Sequence, residues 1–174
     1  KHACGKTIRN SIQTNGVLIN EVWANFLAQN RFLVGLSIDG PAYLHDRYRK
    51  TRSQDSVFEK VINAMRVLTQ YGVEVNVLCV VNNVTAEHPV EIYNFLSRDL
   101  GATFIQFIPA VEQLPLAQRY GELLYPQSMA QRAVTSWSVS GEQWGRFIIQ
   151  VFDTWVRRDV GRVFIQLFDS ALAA

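Results

Sequence analysis

Cysteine is scarce in this 174-residue chain: Cys4 and Cys79 stand 75 positions apart, with no CxxC, no CxxxCxxC and no Cys/His pair at zinc spacing. Neither a disulfide framework nor a metal site is expected from such spacing, and two reduced thiols of a cytoplasmic protein are the simplest reading. Charge is sparse as well. Only 18% of residues are charged, below the roughly 25% of ordinary globular proteins, and 17 Lys plus Arg against 15 Asp plus Glu leave a net +2. Without a block of like charges, nucleic acid and anionic lipid have no electrostatic hold. Long apolar runs are missing too: stretches such as LCVV and FII fall far short of the ~18 residues that cross a bilayer, so no membrane span is expected. The chain opens Lys1-His2-Ala3-Cys4, with neither an initiator Met nor an apolar leader, and a start inside a longer reading frame or at a processing site is expected. What the chain does have is 48% hydrophobic residues, enough for one domain, or a piece of one, that buries roughly 70% of its unfolded surface.

The apolar pattern alternates between short strands and longer amphipathic helices. Residues 7–12 read as a strand ending in the turn former Asn15-Gly16. A helix follows from about Asn20, with Val22, Trp23, Phe26 and Leu27 on one stripe. Residues 32–38 are a continuous apolar run that fits a strand covered on both faces, and a polar, basic loop is expected through His45, Arg47, Arg49, Lys50 and Arg52. Phe58, Val61, Ile62, Met65 and Leu68 recur at helical steps up to Gly72. Strands are expected at 73–81 and 103–108, separated by a helix that Pro89 opens and His88 or Thr85 caps. Residues 112–127 carry only a weak loop or short-helix pattern. Trp144, Phe147, Ile148, Val151, Phe152, Trp155 and Val156 define the best amphipathic helix, as core packing, and residues 162–168 read as a last strand. Strands and helices that alternate over such short connections imply parallel βαβ units, so the fold class is α/β.

In α/β folds the carboxyl edge of the sheet gathers ligand-binding groups, because strand ends converge there and the loops are free to vary. Each strand here ends in polar or turn residues at that edge: Gln13 and Asn15, Ser37 and Asp39, Asn82 and Asn83, Gln106 with Pro109. Ser37 and Asp39 can hydrogen-bond a ligand, or Ser37 can cap the turn while Asp39 closes an Asx turn with Gly40. GLSID is no nucleophile elbow, since Asp39 stands where a GxSxG motif needs glycine. Arg47 and Arg49 offer paired donors suited to a carboxylate or phosphate, while His45-Asp46 is expected to be a solvated loop. Gln106 points opposite Ile105 and Phe107, toward a barrel lumen.

Four strings, SIQTNGVLI (11–19), VGLSIDGPAYLHDRYR (34–49), VEVNVLCVVN (73–82) and IQFIPAVE (105–112), resemble in order and spacing the central part of the anaerobic sulfatase-maturating enzymes of the radical S-adenosylmethionine superfamily. The resemblance covers residues 7–112 and continues weakly to 172. It implies a six-stranded partial (β/α) TIM barrel of which this chain holds strands three to six, with residues 1–112 as barrel core and 113–174 as a post-barrel helical segment and final strand. Such enzymes hold a 4Fe-4S cluster through a CxxxCxxC loop and use it to convert S-adenosylmethionine into a radical that oxidises a sulfatase Cys or Ser to formylglycine. By position, Gln13, Asn15, Ser37, Asp39, Arg49 and Val111 look like cofactor and substrate contacts. The resemblance assigns no catalytic residue and no metal ligand to this chain.

The cluster loop, the GGEP-type segment and the cysteine-rich domain of the family have no counterpart in these 174 residues. S-adenosylmethionine and a 4Fe-4S cluster are therefore implied as cofactors, with a sulfatase polypeptide as partner, but the chain by itself is expected to be inactive. One alternative is an accessory module that pairs through an uncovered barrel edge with another chain or a sulfatase. The other is an unrelated α/β enzyme with a closed site at the strand ends.

Overall fold

A computed structural model describes residues 8–113 and 134–172. Within them five strands form one all-parallel sheet in sequence order: β1 Asn10–Thr14, β2 Phe32–Ser37, β3 Glu74–Val81, β4 Phe104–Pro109 and β5 Phe164–Ile165. Helices α1 Glu21–Gln29, α2 Ala42–Tyr48, α3 Phe58–Gln70, α4 Pro89–Asn94, α5 Gly141–Trp155 and α6 Gln166–Leu172 connect or follow them. The sequential parallel order is that of a barrel segment, in agreement with the α/β expectation. Cys4, His2 and the 112–127 segment beyond Gln113 lie outside the described residues.

Period-two alternation divides the sheet into two faces. Val34, Leu36, Ile38, Val77, Cys79, Val81 and Ile105 are at most 1% exposed and join the helices in one core. The opposite face carries Gln13, Gly35, Ser37, Asn76, Leu78, Val80, Gln106 and Ile108 by the same alternation. On the core side, Gly16 has φ 76°, and a Cβ there would lie 2.7 Å from Leu36 Cδ1 and 3.2 Å from Ala64 Cβ. The Asn-Gly turn therefore needs glycine twice over: for its left-handed backbone and for the close approach of β2 and α3. Ser140 caps α5 with a reciprocal capping box to Gln143, four residues ahead of the expected stripe.

Four expectations change. The basic stretch expected as a solvated loop is mostly α2, with Leu44 2% and His45 0% exposed; the helix forms because Pro41 offers its carbonyl to the amides of Leu44 and His45. The first strand runs later than expected, so Gln13 lies inside β1 and pairs with Gly35. The expected 162–168 strand is only Phe164–Ile165, because Asp169 accepts from the Ile165 amide at 2.7 Å and the chain turns into α6. Along α1 only Ala24 and Leu27 are buried, whereas Val22, Trp23 and Phe26 are 77%, 50% and 48% exposed. This helix packs against β2 and α3, and the outer edge of β1 has no strand beside it among the described residues.

Candidate functional site

At the carboxyl end of β2, Asp39 is 4% exposed and its carboxylate accepts from three protein donors. Arg49 donates through Nε and Nη2, the latter at 3.2 Å, and the Val80 amide of β3 donates at 2.9 Å. Two parallel N–H bonds fix the guanidinium plane, so Arg49 presents its remaining donors in one orientation. The side chain is 26% exposed. Asp39 and Arg49, ten residues apart in sequence, thus form one unit that ties the β2 end to β3.

Gln13 and Ser37 lie on the open face of the sheet. A Cβ on Gly35 would meet Gln13 Cγ at 3.2 Å and Leu78 Cδ1 at 2.9 Å, so the Gln13 stem crosses the glycine toward the Leu78 side chain. Ser37 is partly buried and stands opposite Leu78, which in turn stands opposite Gln106. By register, Ser37, Leu78 and Gln106 form one row across three strands, and Gln13, Gly35 and Asn76 form the row before it. Asn15 is exposed and closes its own turn by accepting from the Val17 amide at 3.3 Å. Val111, 63% exposed, lies past β4, two strands away from Ser37.

Segment 134–140 closes over the ends of β3 and β4. The Asn83 amide side chain donates to Ser136 O at 2.8 Å, the Val139 amide donates to Ala110 O at 2.9 Å, and Trp137 Nε1 donates to Glu112 at 3.1 Å. Asn82 and Thr85 cap each other's backbone in the turn after β3. His88 stands at the N-cap position just before α4, but its side chain makes no capping bond to the helix; it bonds Glu91 at 3.0 Å, and Tyr43 donates to the same carboxylate at 2.8 Å. Gln106 borders a cleft of about 260 Å³ with Ile148, Ile165 and Leu167.

His45 is the group that reading the sequence missed. Its ring accepts from the Asp39 amide at 3.2 Å through Nδ1, and burial pushes its pKa down from the ordinary value of 6.5. The signal was the four-residue step Pro41, His45, Arg49, one helical turn at a time, with Leu44 beside it. Because the folded-state pKa is lowered, the unfolded chain takes up the proton first, so stability is undiminished above pH 6.5 and falls as pH drops below that value. Urea midpoints measured on either side of it are expected to show this fall, and His45→Asn to flatten it.

Cys79 is fully buried on the helix side of β3, where burial raises its thiol pKa. Among the described residues no group of His, Cys, Asp and Glu side chains is arranged to hold a metal ion, and no helix is long and apolar enough to cross a membrane. A 4Fe-4S cluster needs several thiolates, so the described side chains do not fit one.

The sequence pattern of the radical SAM superfamily matches residues 1–96, which is more than half of the chain. The chain belongs to the radical SAM superfamily. It is 44% identical over 173 residues to the serine-type anaerobic sulfatase-maturating enzyme of Bacteroides thetaiotaomicron, covering 99% of this chain and 42% of that protein. It is 38% identical over 167 residues to the cysteine-type anaerobic sulfatase-maturating enzyme of Clostridium perfringens, covering 95% and 41%. Native anSMEcpe solved with bound AdoMet and Kp18Cys peptide superposes with a TM-score of 0.77 at 37% identity, over 94% of this chain and 41% of that one. This radical SAM chain thus spans about two fifths of the length of the relatives it matches, and the resemblance read from its four strings holds. The superfamily implies S-adenosylmethionine and a 4Fe-4S cluster, and the described side chains include no set of ligands for the latter.

Proposed function

We propose that this chain forms the S-adenosylmethionine-binding part of the barrel in a sulfatase-maturating radical enzyme, acting on a Cys or Ser of a sulfatase polypeptide. The observation that carries the proposal is the set of polar groups at the carboxyl edge of the parallel sheet, in a chain that is 44% identical to a sulfatase-maturating enzyme. When bound and reduced, S-adenosylmethionine supplies a carbon-centred radical able to remove a hydrogen atom. In this reading Gln13 and Ser37 hydrogen-bond the nucleoside part, Leu78 and Val80 provide its apolar bed, Asn15 and Val111 border the ligand, and Arg49 pairs with its carboxylate. Asp39 acts through Arg49: its carboxylate is occupied by protein donors and sets the guanidinium plane. Reductive cleavage is not assigned to these residues, because a cluster needs thiolates that they do not provide.

Calorimetric titration of S-adenosylmethionine into the chain tests the proposal. Saturable binding is expected, weakened about fivefold by Gln13→Ala or Ser37→Ala, the equivalent of about one hydrogen bond each. Absence of binding, or affinity unchanged from the parent chain in both variants, overturns it. A second reading, an accessory module that associates through the β1 edge, draws on the exposure of Val22, Trp23 and Phe26 on the neighbouring helix. Association without ligand binding in the same samples would favour that reading.

A further inference from the structure

We infer that His45 is a positioning residue: its Nδ1, as an obligate acceptor, holds the Asp39–Arg49 unit in the orientation in which Arg49 meets an anionic ligand group. Three bonds carry this. The ring accepts from the Asp39 amide at 3.2 Å, the His45 carbonyl accepts from the Arg49 amide at 3.1 Å, and the His45 amide donates to Pro41 O at 2.9 Å. Asp39 and Arg49 are then joined a second time, carboxylate to guanidinium. His45 therefore bridges the two residues through both its ring and its backbone, and the loop that they close has α2 as its rigid side.

The chemistry of the ring selects histidine over a better core residue. His45 is 0% exposed and packs edge-on against Phe58 at 5.8 Å between centroids. Its Nε2 is buried without a partner. Because Nδ1 accepts, the proton of the neutral ring resides on Nε2, and leaving that N–H unpaired is unfavourable. An apolar side chain would fill the space without that cost, but would leave the Asp39 amide with no acceptor. Asp46, the next residue, plays the matching part on the other side: its carboxylate accepts from the Ser56 hydroxyl and from the Val57 amide at 3.2 Å, which anchors the chain beyond Arg49.

The test needs no ligand in its first arm. In ¹⁵N-labelled chain, the His45 ring is expected as the Nε2–H tautomer with a through-bond coupling from the Asp39 amide to Nδ1. The Arg49 Nε–H is expected as a slowly exchanging resonance. An Nδ1–H tautomer overturns the inference without any variant. His45→Asn keeps an acceptor where Nδ1 lies, and His45→Gln carries its amide further out, near the place of Nε2. The Arg49 resonance should persist in the first and be lost in the second, and loss in both or retention in both overturns the inference. In a second arm S-adenosylmethionine is titrated, and His45→Gln is expected to bind it about tenfold more weakly than His45→Asn. Only this arm rests on the ligand reading above. If no variant, nor the parent chain, binds S-adenosylmethionine while the resonance pattern holds, the ligand reading fails and the positioning role stands.

Discussion

Trp155→Ala is expected to lower the stability of the chain by about 3–5 kcal/mol, the range for removing a buried aromatic from a core. Trp155 is 0% exposed on the last turn of α5, and its ring lies 5.3 Å from Phe168 and 5.8 Å from Phe152 between centroids. Its Nε1 donates to the Val163 carbonyl at 2.7 Å. The substitution therefore opens a cavity and also strips a buried carbonyl of its partner, so the loss should reach the upper part of the range. Since the bond fastens the residues just before β5, the two-residue strand should lose protection first. Urea unfolding followed by near-ultraviolet circular dichroism gives the global loss, and amide exchange at Ile165 gives the local one. Trp155→Phe, which keeps most of the packing but not the donor, is expected to cost about 1–3 kcal/mol.

Asp39→Ala is the second large change expected, at about 2–4 kcal/mol. The carboxylate satisfies the Val80 amide and two donors of Arg49, and its side chain is 6% exposed. Truncation leaves a partly buried guanidinium without its counter-charge and a strand amide without its acceptor, and such broken pairs cost more than intact ones contribute. Asp39→Asn retains an acceptor for Val80 but not the charge, so an intermediate loss of about 1–2 kcal/mol is expected. Unfolding curves on the three proteins separate these cases. A loss in Asp39→Ala no larger than in Asp39→Asn would show that charge pairing, not the amide bond, dominates.

Much of this structure was readable because the two backbone periods leave different marks. The runs at 32–38 and 73–81 are strands, and the spacing from Phe58 to Leu68 is a helix; Val34, Leu36, Ile38, Val61, Met65, Leu68, Val77, Cys79 and Val81 sit in the core, whereas Leu33 is 43% exposed, so the first of these two strands is not covered on both faces. Failures occurred where a short element depends on its neighbours. Residues 42–48 are rich in charge and aromatic side chains with no stripe, and they become helical because the Pro41 carbonyl accepts from the Leu44 and His45 amides and the His45 ring accepts from the Asp39 amide. Phe164–Gln166 has strand composition, yet a single Asp169 side chain ends the strand after two residues. Trp23 and Phe26 have the spacing of a buried stripe, but they lie where the described sheet ends and stay half exposed.

The same division applies to the site. Residue types alone marked Gln13, Asn15, Ser37, Asp39 and Arg49 as polar groups at strand ends, and the α/β class followed from the order of apolar periods, since both are local properties of the chain. Their grouping is not local. That Asp39 receives the Val80 amide and that Gln13 reaches across Gly35 toward Leu78 depend on parallel pairing between strands distant in sequence, and the turn into α2 then brings the buried His45 and Arg49 to Asp39. Pairing register brings together atoms that no spacing rule connects, and burial then decides which of their polar groups must find a partner within the protein.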